Sequence, residues 1–219
     1  MQSLRQSLRW LLSISDEQAM WRVQQEEDEG AFAQLVRRWE GPIRRVCVRL
    51  LGDEHLAGDL AQETFIRVFA KRKEFRADAR FSTWVWRIAV NLCYDELRRR
   101  DRRQELSLDE PHSETAAFLE AWAGAEPAPD QALANRERGE LVRKAVMRLP
   151  EAYRAVVVLR HYEDLKFREI ADVLGLAEGT VKSRMAEALT QMNRLLRSGI
   201  AGEPAKIKTQ DPKRESLMV

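Results

Sequence analysis

Cysteine is nearly missing from this chain of 219 residues, where Cys47 and Cys93 are the only two. Two thiols cannot make a disulfide framework. Because His55, His112 and His161 stand isolated, no Cys/His spacing of a zinc site occurs, and no metal is expected. No uninterrupted apolar run approaches the roughly 20 residues of a membrane-spanning helix. In Met1–Leu12, Arg5 and Arg9 interrupt what would be the apolar core of a signal peptide. A reducing cytoplasm is therefore the expected location, with no insertion into a membrane. Alternating β-branched runs are also scarce, which argues against sheet structure. Finally, residues 104–135 lack Lys and Arg altogether.

What is present is charge, a third of all residues, with a net value of only +2. The near balance conceals blocks of opposite sign. Residues 15–66 carry six cations against eleven carboxylates, whereas residues 67–103 carry twelve against five. Residues 104–135 hold seven carboxylates, three prolines and eight alanines, which is linker composition, and residues 136–198 return to thirteen cations against nine carboxylates. Two basic blocks separated by an acidic stretch suggest two surfaces that face a polyanion, although any one block alone is more simply a solvated helical face. Apolar residues recur at three- and four-residue spacing on both sides of the stretch. The expectation is an all-α chain of two helical domains, 15–103 and 136–197. An acidic flexible linker, 104–135, joins them, and 198–219 is expected to be a disordered tail.

The second block carries the sharper motif. Phe167–Gly175 followed by Leu176–Arg184 reads as a helix-turn-helix: Ile170 and Leu174 face inward, Ala171 is small where two helices cross, and Gly175 supplies a positive φ at the turn. From Glu178 onward, Val181, Met185, Ala188, Leu189, Met192, Leu195 and Leu196 fall on one stripe. Thr180, Ser183, Arg184, Glu187, Gln191 and Arg194 fall opposite. Such a helix fits a DNA major groove with polar tips toward base edges; the plainer alternative is an ordinary antiparallel helix pair.

In the first block, a helix predicted over 84–103 places Val85, Trp86, Ala89, Val90, Leu92, Cys93 and Leu97 on a broad apolar arc, with Trp86 read as a core anchor. Arg87, Asn91, Tyr94 and Arg98 fall together elsewhere, with Trp84 and Arg102 beside them. Cations, an amide and aromatic rings are what a reader of single-stranded nucleic acid needs. The loop Phe75–Phe81 just upstream could receive an unstacked base. A further helix, Asp59–Phe69, projects Asp59 and Glu63 one turn apart. That pair is usually solvated, but it suits a basic partner helix or a divalent metal.

Taken in order, Asp59-Leu-Ala-Gln-Glu-Thr-Phe65, Phe81-Ser-Thr-Trp-Val-Trp-Arg-Ile-Ala-Val-Asn91, Leu149-Pro150 and Gly179-Thr-Val-Lys-Ser-Arg184 resemble a bacterial RNA polymerase sigma factor of the extracytoplasmic-function (ECF) group. The resemblance implies a transcription initiation factor, with no catalytic group and no cofactor, that binds core RNA polymerase, recognises −35 and −10 promoter elements and promotes DNA melting. It implies that Asp59, Gln62, Glu63 and Phe65 dock on the β′ clamp. Phe75, Arg76, Phe81, Trp84, Arg87, Asn91, Arg98, Arg99 and Arg102 would serve the −10 element, with Asn91 and the loop capturing a flipped base. Thr180, Lys182, Ser183, Arg184 and Glu187 would read the −35 element. It further implies that the Leu149–Arg160 helix helps dock the β flap, that the acidic linker follows the basic polymerase interior, and that an anti-sigma partner exists.

Two other readings use fewer of these features. A stand-alone helix-turn-helix regulator keeps the second block and leaves the first as coincidence. A helical metal-dependent hydrolase would use Asp59, Glu63, Asp95 and Glu96, but it lacks a convergent His or a second carboxylate motif in register.

Overall fold

In a computed structural model of the chain, the described residues are 14–76, 78–106 and 139–201, and every regular element among them is a helix. The first domain contains α1 (Asp16–Glu26), α2 (Glu29–Leu51), α3 (Glu54–Ala70), a 3-10 turn (Arg72–Glu74) and α4 (Phe81–Leu106). The second contains α5 (residues 139–147), α6 (Glu151–His161), α7 (Phe167–Leu174) and α8 (Glu178–Ala201). Of the expected linker, 104–135, residues 104–106 continue α4, and of the expected tail, 198–219, residues 198–201 continue α8, so both helices run past the expected boundaries; the rest of each segment lies outside the described residues.

Helix starts follow side-chain chemistry. Ser15 and Gln18 form a reciprocal box at α1: the Gln18 amide donates to Ser15 Oγ and the Ser15 amide to Gln18 Oε1, both at 3.1 Å. Asp28 accepts from the Ala31 N–H at 2.9 Å and Asp53 from the Leu56 N–H at 3.0 Å, so each satisfies a donor that its helix leaves free. The α4 start is capped from outside its own segment, because the Phe81 N–H donates to Glu17 Oε1 at 3.2 Å. That helix begins at Phe81 and runs to Leu106, three residues beyond the predicted helix at each end. Gly52 (φ 73°) and Gly175 (φ 66°) close α2 and α7 in the left-handed region, where a Cβ is strained, and Gly175 plays the turn role expected of it.

The apolar stripes then meet. Leu35, Ile43, Val46 and Leu50 of α2, Val68 of α3, and Phe81, Val85, Trp86 and Val90 of α4 are buried together. In the second domain Val156 and Leu159 of α6, Ile170 and Val173 of α7, and Val181, Met185 and Ala188 of α8 form the corresponding core. Trp86, Cys47 and Cys93 are buried as expected, while Leu189, placed on the inner stripe, stands exposed. α8 meets α6 and α7 along one narrow line, which Val181, Met185 and Ala188 fill, and Leu189 falls beside it.

The two domains also pack on each other, which no periodicity in the sequence announces. α7 lies against α4 and α6 against α2, so the two cores are continuous. Arg49 of α2 reaches Glu163 at 3.2 Å with only 8% and 10% of their side chains exposed, and its guanidinium lies 4.2 Å from the centre of the Tyr162 ring. Arg154 of α6 donates to three carbonyls, those of Leu50, Met147 (2.8 Å) and Leu149 (3.0 Å), and so ties the end of α2 to the start of the second domain.

Candidate nucleic-acid and polymerase interfaces

The α3 surface comes first in the chain. Asp59 and Gln62 are exposed, and Glu63 is half-buried and paired with Arg67 at 2.9 Å. Phe65 is 6% exposed and Thr64 is buried, its hydroxyl donating to the Leu60 carbonyl at 2.7 Å. Phe65 thus lies beneath the α3 surface, with little of its ring open to a partner. At about 100° per residue it lies away from Asp59, whereas Ile66 and Phe69 fall close to the Asp59–Gln62 line. Ile66 is 62% exposed and Phe69 38%, and the sequence reading missed both as site residues. Phe69 packs on Phe32 at 5.3 Å and lies under the Arg72 guanidinium at 4.4 Å. An exposed aliphatic and an aromatic ring bordered by acidic and amide groups form a surface suited to a partner helix, and a wheel drawn from Asp59 would have found them.

The loop between the 3-10 turn and α4 is held from below. Phe75 and Phe81 are buried, so both ends of the loop are anchored in the core. Their rings sit 6.1 Å apart, and the half-buried Trp84 lies 5.2 Å from Phe75 and 6.2 Å from Phe81. Trp39 closes the cluster at 6.0 Å from Phe81 and 5.6 Å from Trp86. A loop bearing an apolar ring at each end sinks both ends, and among the described residues between them Arg76, Asp78 and Arg80 are exposed. Arg76 is paired with Asp78 at 3.0 Å, and Arg80 with Glu169 of α7.

Along α4 the predicted polar face exists. Arg87, Asn91, Arg98, Arg99 and Arg102 are exposed, with Arg98 facing Asp95 at 3.5 Å and Arg99 facing Glu96 at 3.2 Å. The exposed Arg98–Asp95 pair contributes about 0–1 kcal/mol, whereas the Glu96 carboxylate facing Arg99 is buried. Two members of the face are engaged by the second domain. The Arg87 guanidinium donates to the Asp172 carbonyl, at 3.1 Å from Nε. The Tyr94 hydroxyl is buried without a hydrogen-bond partner, and burial pushes its pKa up to about 12.

On α8, Thr180, Lys182, Ser183 and Glu187 are exposed over the buried Val181, Met185 and Ala188. Glu178 pairs with Lys182 at 2.7 Å, and Glu187 accepts from Gln191 Nε2 at 2.9 Å. The Ser183 hydroxyl donates back to the Gly179 and Thr180 carbonyls. Arg184 is half-buried and close enough to Tyr94 to act on it electrostatically, so it leans toward α4. The Leu149–Arg160 helix, expected to dock the β flap, has Ala155–Leu159 buried within the molecule.

The carboxylates of the hydrolase reading do not converge. Glu63, Asp95 and Glu96 each face an arginine of their own helix, and among the described residues no three His, Cys, Asp or Glu side chains gather as metal ligands.

Comparison with known proteins places this geometry among relatives. The family described as Sigma-70 region 2 matches residues 35–103, and that described as Sigma-70, region 4 matches residues 139–192. The chain is 32% identical over 170 residues to the ECF RNA polymerase sigma factor SigW of Bacillus subtilis, covering 78% of this chain and 91% of that protein. It is 34% identical over 188 residues to the RNA polymerase sigma-H factor of Pseudomonas aeruginosa, covering 85% and 96%. Among solved structures, CnrH in complex with the cytosolic domain of CnrY shares the fold, with a TM-score of 0.61, 24% identity and coverage of 84% and 97%. The sigma factor RpoE in complex with the anti-sigma factor NepR from Bartonella quintana matches with a TM-score of 0.59, 25% identity and coverage of 76% and 96%.

Proposed function

This chain belongs to the ECF group of RNA polymerase sigma factors and is a promoter-recognising transcription initiation factor; from that premise we propose which surfaces perform each step. Residues 15–103 bind core polymerase and the −10 element, 136–197 bind the −35 element, and 104–135 link them. The α3 face of Asp59, Gln62, Glu63, Ile66 and Phe69 docks on the β′ clamp, with the acidic rim steering the encounter and the two apolar side chains supplying contact area. Thr180, Lys182, Ser183, Arg184 and Glu187 enter the major groove at the −35 element. The family is not an enzyme class, and the chain supplies no catalytic group of its own.

Melting follows from capture. Unstacked bases of the −10 strand stack on Trp84 and hydrogen-bond to Asn91, while Arg76, Arg87, Arg98, Arg99 and Arg102 hold phosphates. Each captured base returns roughly 1–3 kcal/mol of stacking, which shifts the duplex toward the open form without any chemical step. The observation that carries this reading is the exposed ladder of Arg87, Asn91 and Arg98 on α4, set beside a loop pinned at both ends by buried rings. Because Arg87 is bonded to Asp172 and Tyr94 is covered, promoter contact through this ladder requires α7 to leave α4. By likeness to RpoE, an anti-sigma factor is the expected regulatory partner. The cytoplasm is the proposed location; among the described residues no helix is long and apolar enough to cross a membrane.

The test is Asn91→Ala in reconstituted holoenzyme. The variant binds core polymerase normally and loses transcription from duplex promoters, and pre-melted templates restore it. Equal transcription by both proteins on both templates would defeat the assignment.

A further inference from the structure

The loop Phe75–Phe81 is held by more than its own aromatic ends. Gln24 of α1 donates through Nε2 to two carbonyls at the start of the loop, Lys73 at 3.2 Å and Phe75 at 3.1 Å. At the far end Glu17 of the same helix accepts from the Phe81 N–H at 3.2 Å. Glu27, at the C-terminus of α1, adds a pair with Arg72 at 2.7 Å in the turn that leads into the loop. Residues 17 and 24 are two helical turns apart and share a face. One rigid face therefore grips both ends of a loop that is 49 to 64 residues distant in sequence.

The helix is itself anchored. Asp16 pairs with Arg38 and accepts from Trp39 Nε1 at 2.9 Å, Arg38 also donates to the Ile14 carbonyl at 2.9 Å, and Ala19, Met20 and Val23 are buried. The face that grips the loop thus cannot drift without disturbing the core. Neither residue belongs to the matched region 2 family segment, which begins at residue 35.

We propose that Gln24 and Glu17 are positioning residues for −10 recognition, acting by fixing the two ends of the base-capture loop so that Arg76 and its neighbours meet the unstacked base in one geometry. Gln24 suits the task because its amide has two donors and two carbonyls lie within reach. Glu17 suits it because an ionised carboxylate accepts strongly from a helix-starting N–H. Loss of either grip leaves the buried rings in place and removes the hydrogen bonds that fix one end of the loop. The consequence is relaxed base preference with the fold retained.

This inference rests on the reading of Phe75–Phe81 as the capture loop, and the experiment separates the two. Holoenzyme is reconstituted from core polymerase and the full chain, and run-off transcription is measured on templates randomised across the −10 element. Sequencing gives the base preference at each position. Four proteins are compared with the unaltered chain: Gln24→Ala, Glu17→Ala, Glu17→Gln, and a loop control carrying Arg76→Gly with Asp78→Gly. Gln24→Ala and Glu17→Ala are expected to lower preference about fivefold, the size of one net hydrogen bond, at the position that the loop control flattens, and nowhere else. Glu17→Gln keeps an acceptor oxygen and is expected to restore the preference. Core affinity and thermal midpoint should stay near those of the unaltered chain. If the loop control flattens a position and the two alanine variants leave it intact, the positioning role is overturned while the capture loop stands. An equal decline at every position together with a lowered thermal midpoint would overturn it as well, since that is a merely structural role. If the loop control flattens nothing, the capture-loop reading falls and the inference falls with it.

Discussion

Closure of the second domain on the first should depend on pH through one carboxyl group. Glu163 sits at the junction with only 10% of its side chain exposed, and burial pushes its pKa up to about 7 despite the opposing pull of Arg49 and Arg45. When the domains part, the group returns to water and to its ordinary value of 4.5. The closed form therefore holds the proton more tightly. Its advantage is fully present below the open-form value and is lost as pH rises through about 7. A shift of that size, at about 1.36 kcal/mol per unit, corresponds to a ceiling of roughly 3.4 kcal/mol. Residual solvent access and the exposed Arg45 screen it, so about half is a fair expectation, or about 2 kcal/mol and a roughly 30-fold change in the closed-to-open ratio. Spin labels on Glu40→Cys and Arg168→Cys, both exposed positions, report the interdomain distance, and the two native cysteines are buried. The short-distance population should grow as pH falls from 8 to 5, and Glu163→Gln should remove most of that dependence. A distance distribution unchanged across this range, or an identical response in Glu163→Gln, would refute the argument that this carboxyl group governs closure.

Two further outcomes are expected. Phe65→Ala should lower unfolding free energy by about 3–5 kcal/mol in denaturant melts. The neighbouring Ile66→Asp should change it by about 0.5 kcal/mol or less and weaken core-polymerase binding tenfold or more; similar effects of both changes on both measurements would contradict the division between support and contact. Glu187→Ala should relax selectivity at one −35 base pair by about 1–3 kcal/mol in competition binding, because a carboxylate accepts from the cytosine amino group; unchanged selectivity would exclude Glu187 from base reading.

The opposite fates of Phe65 and Ile66 show how far composition carries an argument. Both are large and apolar, and hydropathy alone treats them alike. The packing separates them: Ile66 lies on the Asp59 side and is exposed, whereas Phe65, on the line between Gln62 and the buried Val68, is covered. Rotation alone puts Phe65 beside Phe69, and only the packing shows that one ring is covered and the other open. Phe75 and Phe81 repeat the lesson. A ring at each end of a short loop is a pair of core anchors before it is a pair of ligands, and the rings of Trp39 and Trp84 receive them.

Local chemistry wrote much of this protein into its sequence. The apolar stripes, the left-handed glycine at 175, the capping residues and the alternation of basic and acidic blocks specify helices, a helix-turn-helix and two polyanion-facing surfaces, because each depends on residues within one or two turns. Interactions across long sequence separations required the tertiary structure. Gln24 meets Phe75 across 51 residues and Arg49 meets Glu163 across 114, and no period or spacing marks such partners beforehand. A hydrogen bond between distant residues forms only after packing has brought their helices together. The grip on the loop and the closure over Arg87 are therefore properties of the assembled fold.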